Sequence, residues 1–327
     1  MKEYQLPDKI KQQLAARKAS KNENILRSSE KPEVVILSSP SDIGVIRNGG
    51  RQGAYLAPKV IINEFKKYES SSHSIRSILH QEVTSLALET LDYEKAQKEQ
   101  SEKIFQTFIA NPLKPTIHLG GGHDHIFPLL VALSMAYPKK TLNIINLDAH
   151  LDTRKDSSHH SGTPFRKFDQ VTDRHFILNQ IAIQNESNSL ENFSNLNNGE
   201  MKIYPVQDVI CRRSDYLSDL LLECINANSD FLNIMSVDLD VCDSSDFRSC
   251  SAVNPCGLKN SQLDELLMLY KNSIKHNGIY GFYEYNPLYD DQANSDGKKV
   301  AWRINQIIKK KPNDKSSGFI KETKLII

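Results

Sequence analysis

The feature that most constrains this 327-residue chain is the alternation of short Ile- and Val-rich runs with longer, helix-like stretches. The apolar runs are Val34–Leu37, Thr116–Leu119, Leu142–Leu147, Phe176–Ile183, Phe231–Val241 and Ile279–Tyr283. They are short and bounded by turn residues, as expected of strands covered on both faces. Between them lie Pro58–Tyr68, Tyr93–Ile109, Ile126–Ala136, Ser214–Ala227, Ser261–Lys275 and Val300–Lys310, which read as helices. The pattern predicts an α/β fold: a parallel sheet covered by helices, with mostly right-handed connections.

Charge narrows the partners. Lys and Arg number 41 against 40 Asp and Glu, a net +1, which argues against a nucleic-acid binder. No apolar stretch approaches the roughly 18 residues of a membrane span. The polar, charged first 33 residues lack the apolar centre of a secretory signal. Residues 1–30 read as an N-terminal helical extension and linker before a domain over 31–327. The basic tail, Lys309 to Lys324, reads as a solvated end. Five cysteines without a CxxC predict reduced thiols and a cytoplasmic protein. The spacing of Cys250 and Cys256 fits no common zinc site.

Chemistry-bearing residues gather where apolar runs end, which is where open α/β sheets bind ligands. After Leu119 comes Gly120-Gly121-Gly122-His123-Asp124-His125; without GxGxxG spacing or a Lys-Ser/Thr pair it is not a phosphate loop. After Asn146-Leu147 come Asp148, His150 and Asp152, every second residue, which extended backbone would place on one face. An exposed polar loop is the competing reading. Phe231–Met235 leads into Ser236-Val237-Asp238-Leu239-Asp240, with the same period. Unpaired, these groups would be costly to bury, and a bound cation removes that cost. Two imidazoles and four carboxylates exceed one tetrahedral zinc and suit two divalent ions sharing carboxylates. The oxygen-rich set favours Mn²⁺. Such ions lower the pKa of a bridging water.

These segments, followed by Glu284-Tyr285-Asn286-Pro287, resemble the ureohydrolase family of arginases, agmatinases and formimidoylglutamases, over nearly the whole chain from Val34. The resemblance implies a three-layer α/β/α fold around a parallel eight-stranded sheet, two strands more than the apolar runs supply, with a binuclear manganese site. By motif, His123 and Asp152 would hold one ion and His150 and Asp240 the other. Asp148 and Asp238 would bridge both, together with a hydroxide that Asp152 also accepts from. Glu284 would hold the cationic amidine or guanidinium, a planar donor group suited to a carboxylate. Relatives are commonly oligomers, so a homo-oligomer is expected.

Two further segments are similar to the formimidoylglutamase branch: Gly44-Val45-Ile46-Arg47-Asn48-Gly49-Gly50-Arg51-Gln52-Gly53-Ala54, and Ser161-Gly162-Thr163-Pro164-Phe165-Arg166. Gln184 to Ser189, with Asn188, is similar to it less specifically. The implied reaction is hydrolysis of N-formimidoyl-L-glutamate to L-glutamate and formamide, in histidine degradation. Arg47, Asn48, Arg51, Arg166 and Asn188 are the candidates for substrate binding, arginine forks suiting carboxylates. His160 is the candidate proton shuttle. The loop from Cys242 to Cys256 departs from the family's Pro/Gly-rich pattern and borders the site. The alternatives are another amidinohydrolase acting on a guanidino compound and releasing urea, or a non-catalytic member of the family.

Overall fold

Successive residues of each central strand point to opposite faces, and that alternation divides the core in two. In a computed structural model the described residues are 32–69, 77–83, 92–210, 214–274 and 278–309. The extension over 1–30, the tail beyond Lys309 and Cys211 lie outside them. The strands are β1 (Val34–Ser39), β2 (Ile78–Glu82), β3 (Thr116–Gly120), β4 (Thr141–Leu147), β5 (Phe176–Ile183), β6 (Gly199–Pro205), β7 (Phe231–Asp238) and β8 (Ile279–Tyr283). All pair in parallel, in the order β2-β1-β3-β8-β7-β4-β5-β6. The helices are α1 (Ile43–Arg47), α2 (Ala57–Glu69), α3 (Tyr93–Ala110), α4 (Ile126–Ala136), α5 (Pro164–Val171), α6 (Val206–Ile210), α7 (Ser214–Cys224), α8 (Asn260–Ser273) and α9 (Ser295–Ile308).

Val34 and Ile36 of β1, with Ile145 and Leu147 of β4, join a core beneath α2, α7, α8 and α9. Val35, Leu37, Leu142 and Ile144 join a second core beneath α3, α4 and α5. The result is the expected helix–sheet–helix sandwich, with eight strands. The two strands that the apolar runs did not reveal are the edges, β2 and β6. Their burial is partial, because an edge strand lacks neighbours on one side. No helix among the described residues is long and apolar enough to cross a membrane.

Two local expectations change. The run Phe231–Val241 is not one strand: β7 ends at Asp238, and Leu239–Val241 forms a 3-10 turn. The Asp238 carboxylate makes that turn by accepting from the Asp240 amide at 3.0 Å. Likewise β4 stops at Leu147, so Asp148, His150 and Asp152 do not share a face by strand period. The Asp148 carboxylate instead accepts from the His150 amide at 2.7 Å, and Asp152 takes a left-handed backbone, φ 52°. Both segments turn because a side-chain oxygen competes for the backbone donor two residues on.

Candidate metal centre

The central strands β3, β8, β7 and β4 lie side by side, and the ends of β3, β7 and β4 deliver the ligands. The His123 ring is fully buried. Its Nδ1 faces three carboxylates: Asp152 at 2.7 Å, Asp148 at 3.1 Å and Asp238 at 3.3 Å. Ligand atoms of His123, Asp148, Asp152 and Asp238 all lie within 4.8 Å of one another. A second group, Asp148, His150 and Asp240, meets the same limit, with His150 Nδ1 2.9 Å from Asp240 Oδ2. The two groups share Asp148. Asp238 falls with the first group only.

The donor chemistry fits divalent cations. Among the described residues, the ion pairs of these four carboxylates are with His123 and His150 alone. Among the described residues no lysine or arginine pairs with this buried negative charge, a role suited to a cation. Burial, then Asp152 and Asp240, pushes Asp148 up to about 7. Burial, Asp240 and Asp148 hold Asp238 well above the usual range. Burial alone would lower His123, but hydrogen bonds to Asp148, Asp152 and Asp238 raise it. Burial also opposes charge on Asp240, yet the His150 imidazole draws its pKa down.

Supporting groups fix the orientation of these side chains. Ser236 Oγ lies 2.9 Å from His123 Nε2, leaving Nδ1 for the carboxylate side, as is usual around metal-binding imidazoles. Tyr283 stacks at a tilt over the His123 ring, 5.0 Å between centroids. Asn146 donates to Asp148 at 3.1 Å. Gln180 donates to the Leu151 carbonyl at 2.6 Å, pinning the Asp148–Asp152 segment from β5.

Glu284 follows β8 in a left-handed conformation, φ 66°. Left-handed backbone is uncommon outside glycine and marks a position held by its surroundings. Asp152 and Glu284 both have it. Glu284 Oε1 accepts from the His123 amide at 2.8 Å, while buried Oε2 has no hydrogen-bond partner. Burial pushes this carboxyl up to about 8, against the pull of the nearby Ser251 hydroxyl and the His123 amide.

The candidate substrate residues are distributed differently. Arg47 pairs with Glu94 at 2.7 Å, and Arg51 lies over the Tyr289 ring at 3.8 Å while donating to the carbonyls of Arg248 and Cys250. Arg166 donates to the carbonyls of Thr153, Ser194 and Asn195 and to the Ser194 hydroxyl. It braces two loops and is not directed at the centre. Asn188 clamps the ligand segment, accepting from the Leu151 amide at 2.9 Å and donating to the Ala149 carbonyl at 3.2 Å. His160, the expected shuttle, has both ring nitrogens engaged: Nδ1 accepts from the Gly162 amide and Nε2 meets Asp156 at 2.8 Å. Burial lowers its pKa. It braces its own loop.

Sequence reasoning missed a polar cavity that adjoins the ligand segment in the chain. A cavity of about 410 Å³ is lined by Arg154, Lys155, Asp156, Ser187, Ser189 and Glu191, and its two cations follow Asp152 by two and three residues. Asn48 holds Arg154, accepting from its Nη1 at 2.6 Å, and donates to Ser161 Oγ at 3.0 Å. Arg154 lay within the segment Asn146–Arg154 that carries the ligands, and its place two residues after Asp152 was the available signal.

A family model described as the Arginase family matches residues 32–306. The chain belongs to the arginase family. Formimidoylglutamase of Citrobacter koseri is 27% identical over 277 residues, covering 83% of this chain and 84% of that protein. The structure of formimidoylglutamase from Bacillus subtilis superposes with a TM-score of 0.72 at 20% identity, covering 87% of this chain and 89% of that one. A Trypanosoma cruzi formiminoglutamase with Mn²⁺ superposes at 0.70 and 21% identity, covering 87% and 94%. The expected fold and family are thus both met, and with them the class, an arginase-family hydrolase.

Proposed function

We propose that this protein hydrolyses N-formimidoyl-L-glutamate to L-glutamate and formamide with two manganese ions. The observation that carries this reading is the pair of ligand groups sharing Asp148 beside the unpartnered Oε2 of Glu284. His123 and Asp152 would hold one ion, His150 and Asp240 the other, with Asp148 between them and Asp238 on the first. The ions, when bound, would supply an activated water near neutral pH. Asp152, a member of the first group, would orient that water. Glu284 Oε2 accepts an N–H of the cationic amidine and holds its carbon towards the centre. Arg154 and Lys155 face the cavity where the glutamate carboxylates would lie, and an arginine fork suits such a partner. The similarity to formimidoylglutamases supports the substrate, and Arg154 and Lys155 offer its carboxylates partners of opposite charge.

Asp156 and Glu191 line the same cavity, and they favour a second reading in which the substrate is a guanidino acid carrying a free ammonium. A substrate panel on manganese-loaded protein separates the two. Formamide and glutamate from N-formimidoyl-L-glutamate are expected. Urea from arginine or agmatine, without formamide, would replace the first reading with the second.

A further inference from the structure

The cations of the rim do not stand alone; they lead back to one helix start. α3 begins at Tyr93, where Asp92 caps it by accepting from the Lys95 amide at 3.0 Å. Three side chains of its first two turns reach three different segments. Tyr93, buried, donates its hydroxyl to Asp124 Oδ2. Gln97 donates to the Asp124 carbonyl at 3.2 Å, and its Oε1 lies 2.5 Å from His159 Nδ1. Glu94 accepts from Arg47 Nη1 at 2.7 Å and from the His159 amide at 3.4 Å. The Arg47 guanidinium also lies 4.7 Å from the Tyr93 ring centre and donates to the His159 carbonyl at 3.2 Å.

The turn that carries His123, the segment that carries Arg47 and Asn48, and the loop ending in Ser161 are therefore keyed to one place. Close packing fixes the first of these contacts. A Cβ at Gly44 would lie 2.1 Å from Asp124 Oδ1, and one at Gly122 2.3 Å, so the Asp124 carboxyl fills space that two glycines leave. From Arg47 the connection runs outward: Asn48 holds Arg154 and Ser161, and the Ser161 amide donates to the Gly44 carbonyl at 3.1 Å. None of the α3 groups belongs to the ligand clusters or lines the Arg154 cavity.

We propose that Glu94 is a positioning residue that sets the substrate-facing rim, through Arg47 and Asn48 acting on Arg154, without contributing to metal binding. The consequence for catalysis rests on the proposed amidine hydrolysis; the consequence for loop position does not. A change that removes uniform substrate binding raises KM and leaves kcat unchanged.

Glu94 is the residue to change, because it is half exposed and its loss leaves the core intact. Glu94→Ala is expected to raise KM about tenfold with kcat and manganese content unchanged. Glu94→Gln, which keeps an acceptor for Arg47, is expected to restore most of that loss. Hydrogen exchange gives a readout independent of activity: the Ser161 amide should exchange faster in Glu94→Ala, while amides of β4 and β7 keep their protection. Unchanged KM with unchanged Ser161 protection would overturn the proposal, and so would loss of manganese together with kcat. If the unaltered protein hydrolyses no amidine, the proposed reaction fails, and the exchange comparison alone decides the positioning claim. Faster exchange at Ser161 supports that claim, and equal exchange overturns it.

Discussion

Asp148 and Arg154 lie six residues apart in one segment, yet they are held by different means. Asp148 sits at the end of a central strand, fully buried, with Asn146 and the His150 amide fixing its carboxylate. Arg154 sits on a loop, partly exposed, and its position depends on Asn48, over a hundred residues earlier. The floor of the site is thus set by the sheet, and the rim by contacts between loops. Such a division is common where a rigid scaffold carries adaptable loops. It predicts that floor and rim can be damaged separately.

The largest effect belongs to the floor. Asp148→Ala removes the carboxylate shared by both ligand groups, and kcat should fall on the order of 10⁴-fold with loss of bound metal; metal analysis alongside kinetics checks this. Activity retained with full metal content would break the comparison. Glu284→Gln should reduce kcat/KM about 10²- to 10³-fold while metal content stays constant, since Glu284 is in neither ligand group. At the rim, Arg154→Ala should raise KM about 10- to 100-fold, the scale of one or two charge-assisted hydrogen bonds, with kcat kept. A fall in kcat at unchanged KM would move Arg154 from the rim to the chemistry.

Arg166 sharpens the distinction between reading a substrate and bracing a loop. Arg166→Met should lower stability by about 2–3 kcal/mol, because three carbonyls lose their donor, and should leave KM near its starting value. Thermal unfolding beside steady-state kinetics measures both. The smallest effect is on pH. Asp148 and Glu284 have folded pKa values of about 7 and 8, above those of the unfolded chain, and Asp238 is also raised. Above about pH 6.5, where the histidines of the unfolded chain have lost their protons, the folded metal-free protein therefore binds more protons than the unfolded one, and its stability falls as pH rises to about 8. Raised His123 and His150 act in the same direction; Asp240 opposes them, and so do the lowered His80, His118, His159 and His160 below about pH 6.5. After chelation, Tm should drop by several degrees between pH 6 and 8.5. Manganese should abolish the drop, because bound ions need deprotonated ligands.

The difference between floor and rim also explains what could be read from the sequence. Six central strands were legible because residues buried on both faces form unbroken apolar runs. The edge strands Ile78–Glu82 and Gly199–Pro205 were not, since His80, Gln81 and Lys202 interrupt them where burial is partial. The six ligand residues were legible because each ends a central strand or follows one within a few positions. Their geometry was not: the period of two suggested extended backbone, whereas capping by Asp148 and Asp238 turns the chain. The rim was least legible. Nothing local in Arg47, Arg51 or Arg166 reveals that Glu94, the Cys250 carbonyl and the Asn195 carbonyl engage them, since those partners are distant in sequence.

The central claim is that two ligand groups with one shared carboxylate form a binuclear centre. Titrating metal-free protein with Mn²⁺, while following bound metal and the electron paramagnetic resonance spectrum, tests it most directly. The account predicts two ions per chain with an exchange-coupled signal from neighbouring manganese. A single uncoupled ion per chain, or none, would contradict it.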